Sequence, residues 1–125
     1  MNETDSLEQI IKQGIAGEIN RRDVEEFCNA NGVAIDRFYN DIALEIARRF
    51  NEGTLAYEDA DWAMNAVSAM MVEDAVRFGD GFSFAQPAFA IYLAFDEGEY
   101  DHGGSTDPVE TFTRPQIRDL LIKGK

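Results

Sequence analysis

The sequence predicts an all-α fold, a single-domain bundle of about five or six helices around a central hydrophobic helix at about residues 55–78. Three observations predict it. Apolar residues recur at helical spacing along nearly the whole chain, serine or threonine with glutamine three residues later precedes several apolar segments, and glycine follows them. A chain of 125 residues is one domain by size and long enough to bury roughly two-thirds of its unfolded surface.

The first helix is predicted over about residues 6–17, with Ser6 and Gln9 as a capping box and Leu7, Ile10, Ile11 and Ile15 facing inward; Gly14 and Gly17 weaken its end. The second, about 21–31, starts at Asn20 as N-cap, buries Val24, Phe27 and Cys28, and stops at Asn31-Gly32. The third, about 35–51, is amphipathic: Ile35, Phe38, Tyr39, Ile42, Ile46 and Phe50 share a face, and Glu45 lies four residues before Arg49 in the favourable order. Thr54 is the expected N-cap of the fourth and longest helix, about 55–78, whose stripe comprises Ala60, Ala63, Met64, Val67, Met70, Met71, Ala75 and Phe78. Trp62, Ala66, Ala69, Val72 and Val76 cover much of its remaining surface, which predicts a core helix with neighbours on several sides. Asp74 interrupts the stripe, and a carboxylate placed there requires a partner, expected from a distant part of the chain.

Gly79-Asp80-Gly81 breaks that helix. The run from Ala88 to Phe95 is too apolar for periodicity to separate helix from strand; its alanines and Pro87 select a buried helix over about 87–97, opened by Ser83 with Gln86 or by Pro87 and closed by Gly98. Residues 96–112 read as a long acidic loop, and a last helix, about 114–123, is expected to be capped by Thr113 with Gln116.

Charge is segregated along the chain. Between Asn51 and Thr113 stand thirteen acids and a single base, Arg77, giving −12 of the total of −13. A field of this kind repels nucleic acid and anionic membrane surfaces and attracts basic partners. The helix-turn-helix-like layout of residues 23–38 does not alter this, because Asp23, Glu25, Glu26, Asp36 and Asp41 cancel Arg21, Arg22 and Arg37. The N-terminus lacks the pattern of a secretory signal, no apolar run reaches the roughly 18 residues of a membrane span, and the single cysteine cannot form an internal disulfide. The cytoplasm is the expected location.

The acidic segment suits three chemistries. The first is protein interaction, with Asp96, Glu97, Glu99, Tyr100, Asp101 and Asp107 contacting a basic partner; Phe82, Phe84 and Tyr92 also lie beside the acids, although packing in the core competes for them. The competing explanation is that excess acid merely confers solubility. The second is a divalent metal held by Asp96, Asp101, His102 and Asp107, in a metal-binding module or metal-dependent enzyme. A calcium loop starting at Asp96 or Asp101 fails, because its third and fifth positions are Gly98 and Tyr100, or Gly103 and Ser105. The third is an oligomerising subunit whose fifth and sixth helices pack against a copy of the chain. Ser83 lacks the preceding strand of a nucleophile elbow, and Cys28 sits on an inward face. No cofactor and no catalytic residue are predicted. The expected function is a small acidic interaction module or inhibitor.

Overall fold

The structure is a computed structural model that describes residues 3–78, 84–99 and 107–123, with backbone only for residues 3–6 and 78. It is all-α. The described helices are α1 (Glu3–Ile15), α2 (Arg21–Asn31), α3 (Ile35–Glu52), α4 (Tyr57–Phe78), α5 (Ala88–Glu97) and α6 (Arg114–Lys123), with a π-helical turn over Val109–Thr113 running directly into α6. The apolar run 88–95 is thus helical, as its alanines indicate.

Helices α3, α4 and α5 pack on one another, α1 lies mainly along α4, α2 bridges α1 and α3, and α6 closes α3 and α5. Contacts between helix ends fix the directions. Phe50 near the end of α3 meets Tyr57 at the start of α4, and Tyr39 near the start of α3 meets Asp74 near the end of α4, so these helices are antiparallel. Phe50 also meets Phe95 at the end of α5, while Asn40 of α3 meets Ala88 at its start, so α3 and α5 are parallel. The bundle therefore has two distinct ends.

Local sequence explains several boundaries. Asn20 caps α2 by accepting from the Arg22 amide at 2.8 Å, and Gly32 ends it at φ 63°. Gly53 ends α3 at φ 84°, a left-handed conformation that side chains disfavour. The buried face of α3 comprises Phe38, Tyr39, Ile42, Ile46 and Phe50, and Glu45 binds Arg49 at 2.9 Å. Val24 and Phe27 of α2 are buried, whereas Cys28 is only half-buried; burial, then the charge of Glu25, push its thiol pKa up.

Other boundaries correct the expectations. Helix α1 begins at Glu3, so Ser6 lies inside it. Gly14 does more than weaken α1: a Cβ there would stand 3.2 Å from the Ala63 Cα, so glycine permits α1 to approach α4 closely. Thr54 does not cap α4. Its hydroxyl and its amide both donate to the Arg49 carbonyl, at 3.2 and 3.0 Å, which closes the end of α3 instead. At α5 the Gln86 side chain accepts from the Ala90 amide at 3.2 Å, and another helix adds a second cap, the Asn40 side chain accepting from the Ala88 amide at 3.1 Å. Thr113 and Gln116 do not form a local box: Thr113 is fully buried and donates to the Ala94 carbonyl at 2.7 Å, and Gln116 donates to Glu97 at 2.7 Å. Residues 108–112 are helical rather than loop. Asp107 caps this helix through its side chain, accepting from the Val109 amide at 2.9 Å, with Pro108 in the first position.

Helix α4 differs from its expected surroundings. Ala60, Ala63, Met64, Val67, Met70 and Met71 are buried, but Trp62 is 61% exposed, Val72 52% and Val76 81%. Among the described residues, neighbours cover one side of it only.

Asp74 is almost completely buried, and its distant partners are Tyr39 and Arg21. The Tyr39 hydroxyl donates to one carboxylate oxygen, and an Arg21 guanidinium nitrogen lies 2.9 Å from the other, an ion pair not aligned as a hydrogen bond. This joins α2, α3 and α4 at one end of the bundle. Burial, then the hydrogen bond to Asp74 and its charge, raise the Tyr39 pKa and keep it a donor. Removing one member strands the rest, so Asp74→Ala is expected to destabilise the protein by roughly 3 kcal/mol and Tyr39→Phe by roughly 1.5 kcal/mol in denaturant melts.

Candidate functional site

The end of the bundle opposite Asp74 gathers the end of α3, the starts of α4 and α6 and the end of α5. Glu52 belongs to the first of these, Glu58, Asp59 and Asp61 to the second, and Asp96, Glu97 and Glu99 lie at or just after the end of α5. Three aromatic rings pin these segments together beneath the acids. Phe50 and Phe95 meet edge to face at 5.2 Å, Tyr57 and Phe95 stack at 6.0 Å, and the Tyr57 hydroxyl donates to the Phe95 carbonyl at 2.6 Å. Arg114 lies 4.5 Å over the Phe50 ring and pairs with Glu110.

Gly98 makes this convergence possible. Its φ of −76° is ordinary for any residue, so conformational freedom is not its role. A Cβ there would lie 2.5 Å from the Thr113 hydroxyl and 2.8 Å from that of Tyr57, distances no side chain tolerates.

Within this pole Asp61, Asp96 and Glu99 interact directly. The three carboxylates stand near enough for their charges to act on one another. One oxygen of Asp61 is buried without a hydrogen-bond partner among the described residues. Burial, then the charges of Glu99 and Asp96, push the Asp61 pKa up to about 7. Burial and then the neighbouring Asp96 also raise that of Glu99, and burial, then the charges of Asp61, Glu99 and Asp96, raise that of the half-buried Tyr57.

The bases elsewhere do not neutralise this end. Arg22, Arg37, Arg48, Arg49 and Lys123 pair with Glu26, Asp41, Glu45, Glu8 and Asp119, outside the acidic stretch. Arg21 serves Asp74 and Glu73 at the other end. Among the described residues, no base lies within ion-pair distance of Glu52, Glu58, Asp59, Asp61, Asp96 or Glu99.

Of the residues selected from sequence, Asp96, Glu97 and Glu99 share this pole, and Asp107 stands at the cap of the helix that enters it. Tyr100, Asp101 and His102 lie outside the described residues, as do Phe82 and Ser83. Phe84 is instead stacked on Phe89 at 4.6 Å. Sequence reasoning missed Asp61, Tyr57 and Gly98, which become site residues only through packing. Among the described residues, no group of three acids, histidines or cysteines is placed to hold a metal ion. No described helix is long and apolar enough to cross a membrane. No protein-family model, curated protein or solved structure matches the chain.

The raised Asp61 pKa fixes the sign of a pH effect. Its folded value lies above its unfolded one, so its contribution favours the folded state in acid and is lost as pH rises from about 4 through about 7. Thermal melts are expected to show greater stability at pH 5.5 than at pH 8. Asp61→Asn should flatten that difference and stabilise the protein at pH 8 by roughly 1 kcal/mol, a figure kept small because the side chain is half-exposed and screened. Gly98→Ala is expected to destabilise by roughly 2 kcal/mol in the same melts.

Proposed function

We propose that this protein is a small acidic interaction module, or inhibitor, that binds a basic protein partner through the pole formed by Asp61, Asp96, Glu97 and Glu99, with Tyr100 and Asp101 next to them in sequence. The observation that carries this reading is the placing of like charges where local energetics oppose them. Asp96 and Glu97 occupy the last turn of α5, where the helix dipole disfavours anions, and that turn has no base. Asp61 is partly desolvated and feels the charges of Glu99 and Asp96. Solubility requires only dispersed, hydrated acids and gives no reason for a strained cluster. A cationic partner does: its charge relieves the repulsion, and the field of the cluster accelerates encounter.

Two consequences follow from the same electrostatics. Binding weakens with salt, since the screening length falls from roughly 10 Å at 0.1 M to roughly 3 Å at 1 M. Binding also strengthens from pH 6 to pH 8, because a cation lowers the Asp61 pKa and expels its proton. Affinity capture from native lysate at two ionic strengths is expected to retain basic proteins at low salt and release them at high salt. The Asp96→Asn, Glu97→Gln, Glu99→Gln triple variant should bind the captured partner at least tenfold more weakly. Retention of nothing basic, or a binding constant indifferent to salt, contradicts the proposal.

A further inference from the structure

The exposed side of α4 carries a second surface, independent of the acidic pole. Trp62, Ala66, Ala69, Val72 and Val76 recur at intervals of four, three, three and four residues, which keeps all five on one side of a helix. Trp62, Ala69, Val72 and Val76 are exposed and Ala66 is half-buried. Exposed apolar area of this kind, collected on one helix face, marks an interaction surface.

We propose that a second copy of this chain covers the stripe, its α4 packed antiparallel about a twofold axis at Ala69. Trp62 and Val76 lie seven residues either side of Ala69, and Ala66 and Val72 three, so inversion of direction sets Trp62 against Val76 of the other copy and Ala66 against Val72. Ala69 meets its own counterpart, and its small side chain lets the helices approach.

Charge selects this partner and this direction. Arg77 is exposed, and no acid among the described residues lies within ion-pair distance of it. On a helix advancing about 100° and 1.5 Å per residue, Arg77 and Asp59 stand on the same flank of the stripe, about 12 Å and about 15 Å from the axis in opposite directions. Antiparallel packing thus puts each Arg77 beside the Asp59 of the other copy, an exposed acid with no base in ion-pair distance among the described residues. It also carries the acidic poles apart, Asp59 from its counterpart by about 30 Å along the helix, several times the screening length of about 8 Å at physiological salt. A parallel pair would set the two poles side by side. The dimer therefore displays one acidic pole at each end and leaves both open.

Sedimentation equilibrium on the full chain tests this. The expected result is a dimer of the 14.0 kDa chain at tens of micromolar that survives high salt, in contrast to binding at the pole. Val76→Asp is expected to weaken dimerisation at least tenfold with an unchanged far-ultraviolet spectrum, because Val76 is 81% exposed in the monomer. In a Cys28→Ser background, Ala69→Cys should form a disulfide-linked dimer in air. Trp62→Cys should not, since antiparallel packing holds it about 20 Å from its counterpart. A monomer at millimolar concentration, a dimer indifferent to Val76→Asp, or equal cross-linking of the two cysteine variants overturns the proposal.

Discussion

Mutual repulsion among carboxylates at one end is the constraint around which this bundle is arranged. Asp61, Asp96 and Glu99 act on one another through their charges, and among the described residues no arginine or lysine lies within ion-pair reach of these three. Something must hold these segments together against their charge. Beneath the acids that is apolar and hydrogen-bonded packing: the rings of Phe50, Tyr57 and Phe95, the Tyr57 hydroxyl on the Phe95 carbonyl, and Thr113 on the Ala94 carbonyl. Gly98 lets these groups approach where any side chain would hold them apart. At the other end the buried Asp74 is balanced by Arg21 and Tyr39, which fixes α2, α3 and α4 in register. One end neutralises its buried charge, and at the other no described base pairs with Asp61, Asp96 or Glu99. That asymmetry is the physical basis for assigning a working surface to the acidic end.

Much of the fold was legible in the residues, and what was not failed for identifiable reasons. Helix α2 could be bounded to the residue because Asn20 and Gly32 act locally, on amides and backbone angles within their own turn. The face of α3 was legible because charge and apolar residues alternate at a clear period. Thr54, Thr113 and Gln116 were misread because a hydroxyl or amide that resembles a cap in sequence can find its partner elsewhere: the preceding helix for Thr54, α5 for the other two. The true cap of the last helix, Asp107 before Pro108, carried a readable signal that its acidity obscured. Helix α4 is apolar on both faces, so periodicity could not tell the covered side from the open one. The open side became visible only from the exposure of Trp62, Val72 and Val76. The acids of the pole were legible as charge, but their convergence with Asp61, more than thirty residues earlier in the chain, was not, because it depends on the antiparallel pairing of α4 and α5.

The two proposed surfaces complement each other. The pole is charged and sits where helix ends meet; the α4 stripe is apolar and runs along a helix. Salt acts on them in opposite senses, weakening attraction to a cation and screening repulsion between two acidic copies. An antiparallel dimer would present two poles facing outward, and a basic partner with two sites, or two partners, would then gain from their joint presence.

The convergence of the carboxylates is most directly tested by carbon-detected NMR titration of the side-chain carboxyl groups. The account predicts that Asp61 titrates at about 7, with Glu99 also displaced upward, because burial and mutual charge hold the proton on. An Asp61 that titrates near 4 with the exposed acids would contradict it, since such a value requires a hydrated carboxylate remote from its neighbours.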